Sequence, residues 1–331
     1  MHGSRAMLRV SAQPANMMTM IPILETPLGQ LYQADCLEVL ASIEAETVDL
    51  AFADPPFNLG KTYTSKINDG LASHEYLDWC ESWLAEMVRV LKPGGALMLW
   101  NLPKWNLPLG GFLSRHLTFR HWIAVDIKYA LPISGRLYPS HYSLLYFIKG
   151  HRPAIFHPDR MPIACCRHCG GELKDYGGYK DKMNPKGVNI ADVWTDISPV
   201  RHSKYKKREA NALPLKLMDR IISMTTDPDS LVLDPFGGSG TTYATAEITG
   251  RRWFGCELEC STIIERFDAL DVDAEHLRDI HANKNRLFTE ADLKTRAKSG
   301  RPLSSNYQFD PAPDEGPCTC TKLLPVQQEI F

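Results

Sequence analysis

The chain alternates short apolar runs with segments of helical period. Leu31-Tyr32-Gln33-Ala34 reads as a strand ending at Asp35, followed by a short helix from Leu37 to Ile43. Val48 to Ala53 is a second apolar run, stopped by Asp54-Pro55-Pro56-Phe57. Two consecutive prolines cannot continue a central strand, so the chain must turn out of the sheet there. Residues 75–91 set Tyr76, Trp79, Trp83, Met87, Val90 and Leu91 on or near one helical face, and Lys92-Pro93-Gly94-Gly95 reads as its stop signal. Ala96 to Trp100 follows as a buried strand, then a helix over 107–116 and strands over 123–129 and 142–148. Beyond a polar stretch the rhythm resumes with a helix at 211–225, a strand at Leu231-Val232-Leu233 and a helix from Thr241 to Thr249. Trp253 to Glu257 is the last strand, and a long helix is expected after it. Strands alternating with helices predict an α/β domain with a largely parallel sheet.

The same pattern sets the organisation. Residues 1–27 form an irregular lead-in, 28–150 a first half-domain, 151–208 a polar insert, 209–290 a second half-domain, and 291–331 a polar, Pro-containing tail. Composition adds limits. Of 331 residues, 44% are hydrophobic and 23% charged, an ordinary globular profile. A net charge of -2 gives no global sign of a polyanionic partner, so any basic surface must be local. No apolar run reaches membrane-spanning length and the N-terminus lacks a signal-peptide core, so the cytoplasm is the expected location. Nine cysteines without a signal peptide point to reduced thiols or metal ligands.

Two turns carry the chemistry. Asp234-Pro235-Phe236-Gly237-Gly238-Ser239-Gly240-Thr241 lies between a strand and a helix, where glycines allow sharp bends and the helix start offers free amides to a carboxylate. It lacks the lysine of a phosphate-binding loop and the G-x-G-x-x-G spacing of a dinucleotide site. Glu257 ends the next strand, where a carboxylate can accept hydrogen bonds from both hydroxyls of a ribose. The set describes a nucleoside-cofactor site. In the other turn, Asp54 and the Pro55 carbonyl are candidate acceptors for the two hydrogens of an exocyclic amine, Pro56 stiffens the turn, and Phe57 offers a face to a base turned out of the duplex. Either turn alone reads equally well as ordinary strand-ending structure; their co-occurrence is what points to function.

Together the motifs resemble the amino-methyltransferases of DNA, which modify adenine N6 or cytosine N4. The catalytic turn comes first, then a variable region, then the cofactor loop, an order similar to the circularly permuted β group. The resemblance covers residues 28–288 and implies a Rossmann-like methyltransferase fold with S-adenosyl-L-methionine as methyl donor. It assigns Asp54 to Phe57 to the catalytic turn, with Asp54 also counted among the cofactor-binding residues, Asp234 to Thr241 to the methionine side of the cofactor, and Glu257 to the ribose. Asp35 and Cys36 fall where the family contacts the cofactor's adenine ring, although Ala34 stands where Gly is common. Asn211 and Leu213 fall in the segment flanking the methionine tail, which departs from the usual Lys-Pro pairing. Ser140-His141-Tyr142 replaces a frequent His-Glu pair. Asp at the first turn position leans to adenine, since cytosine N4 enzymes more often carry Ser there. Cytosine N4 is the alternative, and a catalytically inactive DNA-binding protein of the same fold is the rival from another class.

The insert holds twelve Lys and Arg against six Asp and Glu. Arg201, Lys204, Lys206, Lys207 and Arg208 surround Tyr205, a stripe suited to the phosphates of double-stranded DNA, or else a solvated basic loop. Cys166 and Cys169 have zinc-knuckle spacing, but one pair does not complete a four-ligand site, and free thiols remain the other reading. A restriction endonuclease would have to be a separate partner. The terminal Gln327-Gln328-Glu329-Ile330-Phe331 loosely resembles the pentapeptides that dock on the bacterial sliding clamp, with Ile330 and Phe331 folding back on the domain as the alternative.

Overall fold

The computed structural model describes residues 20–60, 70–127, 134–135, 137–161, 188–197 and 212–282. These fall into two compact units, one drawn from Met1–Phe156 and Val193–Asp273, the other from His157–Asp192 and Ala274–Phe331.

In the first unit, β1 (Leu24–Glu25), β2 (Gly29–Gln33), β3 (Val48–Ala53), β4 (Leu91–Asn101), β5 (Thr118–Asp126), β6 (His141–Ile148), β9 (Val193–Trp194), β10 (Leu231–Asp234) and β11 (Arg252–Glu257) form one sheet, in the order β1-β2-β11-β10-β3-β4-β6-β5-β9. The five strands from β2 to β4 are mutually parallel. Parallel strands are covered on both faces, which is why β3 is an almost unbroken buried apolar run. Its exception, Asp49, accepts both Lys92 Nζ hydrogen bonds at 2.8 Å and the Leu231 amide at 2.8 Å, so the carboxylate staples β3 to β4 and β10.

The helices are α1 (Cys36–Ser42), α2 (Ser73–Val90), α3 (Pro103–Leu113), α4 (Leu215–Thr225), α5 (Thr241–Ile248), α6 (Ser261–Asp268) and α7 (Leu270–Ala282). α2 buries Tyr76, Cys80, Trp83, Leu84, Met87 and Val90; of the stripe its period predicts, Trp79 is only partly buried and Leu91 belongs to β4, while Cys80 and Leu84 are added. The second unit contains the short antiparallel pair β7 (Arg160–Met161) and β8 (Val188–Asn189).

Topology places the ligand crevice. From β10 the chain passes through α5 to β11 on one side; from β3 it passes through α2 to β4 on the other. Neighbouring strands whose connections diverge leave a gap at their carboxyl ends, where α/β folds bind ligands. Both sequence motifs sit at that edge.

Three expectations need correction. α2 ends at Val90, as the stop signal implies, but β4 starts at Leu91 and not at Ala96, so Lys92 to Gly95 lies inside the strand. Gly94 has φ +80° and donates to the Lys149 carbonyl at 2.7 Å, so the stop signal is an irregular strand start with its hydrogen bonds satisfied across the sheet. β6 runs antiparallel to both its neighbours, β4 and β5, which alternation alone does not disclose. The long final helix is two helices broken at Ala269, whose amide returns to the Arg266 carbonyl.

Candidate active site

β3 delivers Asp54, partly buried, to the carboxyl edge of the sheet, and the turn after it is held from three sides. Tyr76 Oη of α2 donates to the Pro56 carbonyl at 2.7 Å, and Trp105 Nε1 of α3 donates to the Phe57 carbonyl at 2.7 Å. Asn58, at φ +52°, closes the turn by pairing its side-chain amide with the Leu71 backbone at 2.9 and 2.7 Å. The Phe57 ring lies 6.0 Å from that of Tyr142, which in turn packs 4.9 Å from Trp100. Burial, and then the negative charge of Asp54, raise the Tyr142 phenol, so it stays a protonated donor beside the carboxylate. In the sequence, position 142 stands out only as a departure from a family pair. Nothing in the periodicity marks Tyr76 or Trp105 as supports of the turn.

At the neighbouring strand end, Asp234 is 1% exposed. Its carboxylate accepts Thr242 Oγ1 at 2.5 Å and the Phe236 amide at 2.9 Å, while Tyr243 Oη holds its backbone carbonyl at 2.7 Å. Burial pushes Asp234 up to about 7, opposed by those hydrogen bonds and reinforced by the charge of Glu257. Pro235 is buried, and Phe236 packs edge-on against Trp83 and Trp79 of α2 at 4.9 and 5.8 Å. The glycines answer mainly to the protein itself. A Cβ at Gly237 would lie 2.7 Å from the Tyr243 ring, and one at Gly240 would lie 2.9 Å from Ile263. Gly238 and Gly240 take φ +56° and +74°, which side chains rarely adopt.

Glu257, partly buried at the end of β11, accepts the Gly238 amide at 2.7 Å through Oε2 and the Leu258 amide at 2.9 Å through Oε1. The hydroxyls of Ser239 and Thr241 are turned inward. Buried Arg266 donates to the Ser239 carbonyl at 2.9 Å and to Thr241 Oγ1 at 2.8 Å, and Thr241 Oγ1 reaches the Leu213 carbonyl at 3.2 Å. Arg266 also pairs with Asp273 at 2.6 Å. Arg266 has no sequence signal as a support of this loop, because its bonds to the loop span 25 and 27 residues. Asp35 is exposed and caps α1 through the Leu37 amide at 2.8 Å. The Cys36 side chain packs into the core, where burial and then Asp35 push its thiol up to about 12.

The two loops share one support. α2 carries Tyr76, bonded to the catalytic turn, and Trp79 and Trp83, packed on Phe236 of the other loop. The donor set suits a nucleoside carrying an amino acid: carboxylates at Glu257 and Asp35, and a glycine loop opening a helix.

Several sequence-predicted residues lie outside the described residues: Asn211, the basic run Arg201, Lys204, Lys206, Lys207 and Arg208, the pair Cys166 and Cys169, and the terminal pentapeptide. Among the described residues no group of three His, Cys, Asp or Glu could hold a metal ion, and Cys36, Cys80, Cys256 and Cys260 are buried free thiols. No described helix is long and apolar enough to cross a membrane.

Comparison with known proteins agrees with this geometry. The chain is 51% identical over 290 residues to type II methyltransferase M.BamHI of Bacillus amyloliquefaciens, covering 87% of this chain and 69% of that one. It is 31% identical over 257 residues to DNA adenine methyltransferase YhdJ of Escherichia coli (strain K12), covering 74% and 84%. The solved structure of the PvuII DNA methyltransferase (cytosine-N4-specific) shares the fold, with a TM-score of 0.53 at 21% identity over 80% of this chain and 95% of that one. A family model described as DNA methylase, N6_N4_Mtase, matches residues 48–264. The chain therefore belongs to the N6/N4 DNA methylase family, whose methyl donor is S-adenosyl-L-methionine.

Proposed function

We propose that this chain methylates the exocyclic amino group of a base in double-stranded DNA, at a specific sequence. The observation that carries the reading is the pairing of the two turns at one sheet edge, with Asp54 after β3 and the Asp234–Gly240 loop after the adjacent β10. When bound, S-adenosyl-L-methionine supplies an electrophilic methyl carbon on a sulfonium. Glu257 would hold its ribose, Asp35 its adenine ring, and Asp234 to Thr241 its methionine end. On the family resemblance, Asn211 and Leu213 would belong to the segment beside that end.

The remaining work belongs to the catalytic turn. The Asp54 carboxylate and the Pro55 carbonyl accept the two amino hydrogens, which draws the nitrogen lone pair out of conjugation with the ring. Phe57 stacks on the extruded base, and Asp54 is the acceptor nearest the proton that the nitrogen sheds. The basic run from Arg201 to Arg208 grips the phosphates.

Our finer reading of the target is adenine N6, on the carboxylate at position 54. Cytosine N4 offers the same two hydrogens to the same acceptors. Mass spectrometry of nucleosides from DNA treated with the protein and donor decides. N6-methyladenine is expected; N4-methylcytosine would correct the base, and 5-methylcytosine or no product would overturn the reading. The type II designation of M.BamHI supports a restriction–modification setting with a separate endonuclease as partner.

A further inference from the structure

The acceptors assigned to the amine include a backbone carbonyl, and a carbonyl can only be aimed by fixing its peptide plane. Prolines at 55 and 56 fix two φ angles but leave the planes free to rotate about ψ. The rest of the restraint comes from outside the turn. Tyr76 is 2% exposed and its hydroxyl donates to the Pro56 carbonyl at 2.7 Å. Fully buried Asn101, at the end of β4, donates to the same hydroxyl at 3.0 Å. The phenol therefore donates its proton to Pro56 while accepting from Asn101. Asn101 is held in turn, because its Oδ1 accepts the Leu102 amide at 2.7 Å. On the far side, Trp105 Nε1 donates to the Phe57 carbonyl at 2.7 Å, and the Trp105 ring packs 4.6 Å from that of Tyr76.

We propose that Tyr76 and Trp105 are positioning residues for methyl transfer, which anchor two successive carbonyls so that the Pro55 carbonyl, Asp54 and the Phe57 ring face the target amine together. With φ of Pro56 set by its ring, an anchored Pro56 carbonyl leaves the preceding carbonyl little freedom. The Phe57 anchor does the same for the stacking ring, which Tyr142 flanks. Both donors are buried side chains, 2% and 7% exposed, and a hydrogen bond from a buried donor holds geometry more firmly than one in water. The inference rests on reading Asp54 to Phe57 as the methyl-accepting turn.

Tyr76→Phe and Trp105→Phe test it in the full chain, since each keeps a ring and removes one donor. Three quantities are read: single-turnover methyl transfer at saturating S-adenosyl-L-methionine and DNA, affinity for S-adenosyl-L-methionine by calorimetry, and the thermal midpoint. Each variant should transfer about ten- to a hundredfold more slowly, the loss typical of a slightly misplaced reacting group, with cofactor affinity within about twofold of wild type. A merely structural role would lower the midpoint and leave the saturated rate unchanged, and that result overturns the proposal. If Tyr76→Phe does not fold, Trp105→Phe decides alone by the same criterion. Asp54→Ala runs alongside. Wild-type protein that modifies no amino group overturns both the turn's assignment and this inference. An active wild type, an inactive Asp54→Ala and two fully active Phe variants overturn the positioning role only.

Discussion

Replacing Arg266 by methionine should separate the stability of the cofactor loop from its binding competence. Arg266 and Asp273 are 5% and 7% exposed at the side chain, and their 2.6 Å pair is buried. Removing the guanidinium leaves the Asp273 carboxylate in a dry site without its partner, which costs about 3–5 kcal/mol. That is a large share of the roughly 5–15 kcal/mol that holds a domain folded. The loop also loses its donors to the Ser239 carbonyl and Thr241 Oγ1. The double variant Arg266→Met with Asp273→Leu removes both charges and should regain most of the stability, because apolar replacement of a whole buried pair is often neutral. It does not restore the donors to the loop. Urea unfolding followed by circular dichroism measures the first quantity, and calorimetric titration with S-adenosyl-L-methionine the second. The expected pattern is a single variant that is both unstable and weak in binding, and a double variant that is stable but still weak by about tenfold, the equivalent of one lost hydrogen bond of about 1.4 kcal/mol. A single variant within about 1 kcal/mol of wild type would refute the burial argument. A double variant with full affinity would refute the role of Arg266 in shaping the loop.

Other outcomes follow from the same geometry. Glu257→Ala and Gly238→Val should each weaken cofactor binding in calorimetry, the first by removing the carboxylate that also receives the Gly238 amide, the second by forcing a branched residue to φ +56°. Asp234 is held at about 7 when folded, above its value of about 4 when unfolded, so the folded state keeps a proton that the unfolded chain has released. Its contribution to stability is complete below pH 4 and lost as the pH rises to 7, and Asp234→Asn should flatten the urea stability profile across that window. Neutralising Lys204, Lys206, Lys207 and Arg208 together should weaken DNA binding and lower the log–log salt slope by about 0.9 for each phosphate no longer neutralised, measured by fluorescence anisotropy, with cofactor affinity unchanged.

What the sequence disclosed and what it hid divide on physical grounds. The two turns were legible because glycine and proline act locally: a left-handed glycine or a double proline limits the backbone whatever surrounds it. The apolar stripe of α2 and the buried run of β3 were legible because burial imposes a period. Tyr76, Trp105, Asn101 and Arg266 were not legible as site residues. The hydrogen bonds that tie them to the two loops and to each other span 20 or more residues, and a buried aromatic that also donates looks the same in a pattern as one that only packs. Lys92 to Gly95 disclosed the end of α2 but not the start of β4. That start depends on pairing with Lys149 and Ala154, an arrangement that exists only once the sheet has formed.

The central claim is that the Asp54 carboxylate acts mainly on the amine, although it lies near the cofactor methyl. Its most direct test is Asp54→Ala, assayed for methyl transfer to unmethylated DNA with labelled S-adenosyl-L-methionine while cofactor affinity is measured on the same preparation. Loss of a charged acceptor at the reacting centre should slow transfer by about two to three orders of magnitude with most of the cofactor affinity retained. Transfer at near the wild-type rate would contradict the account.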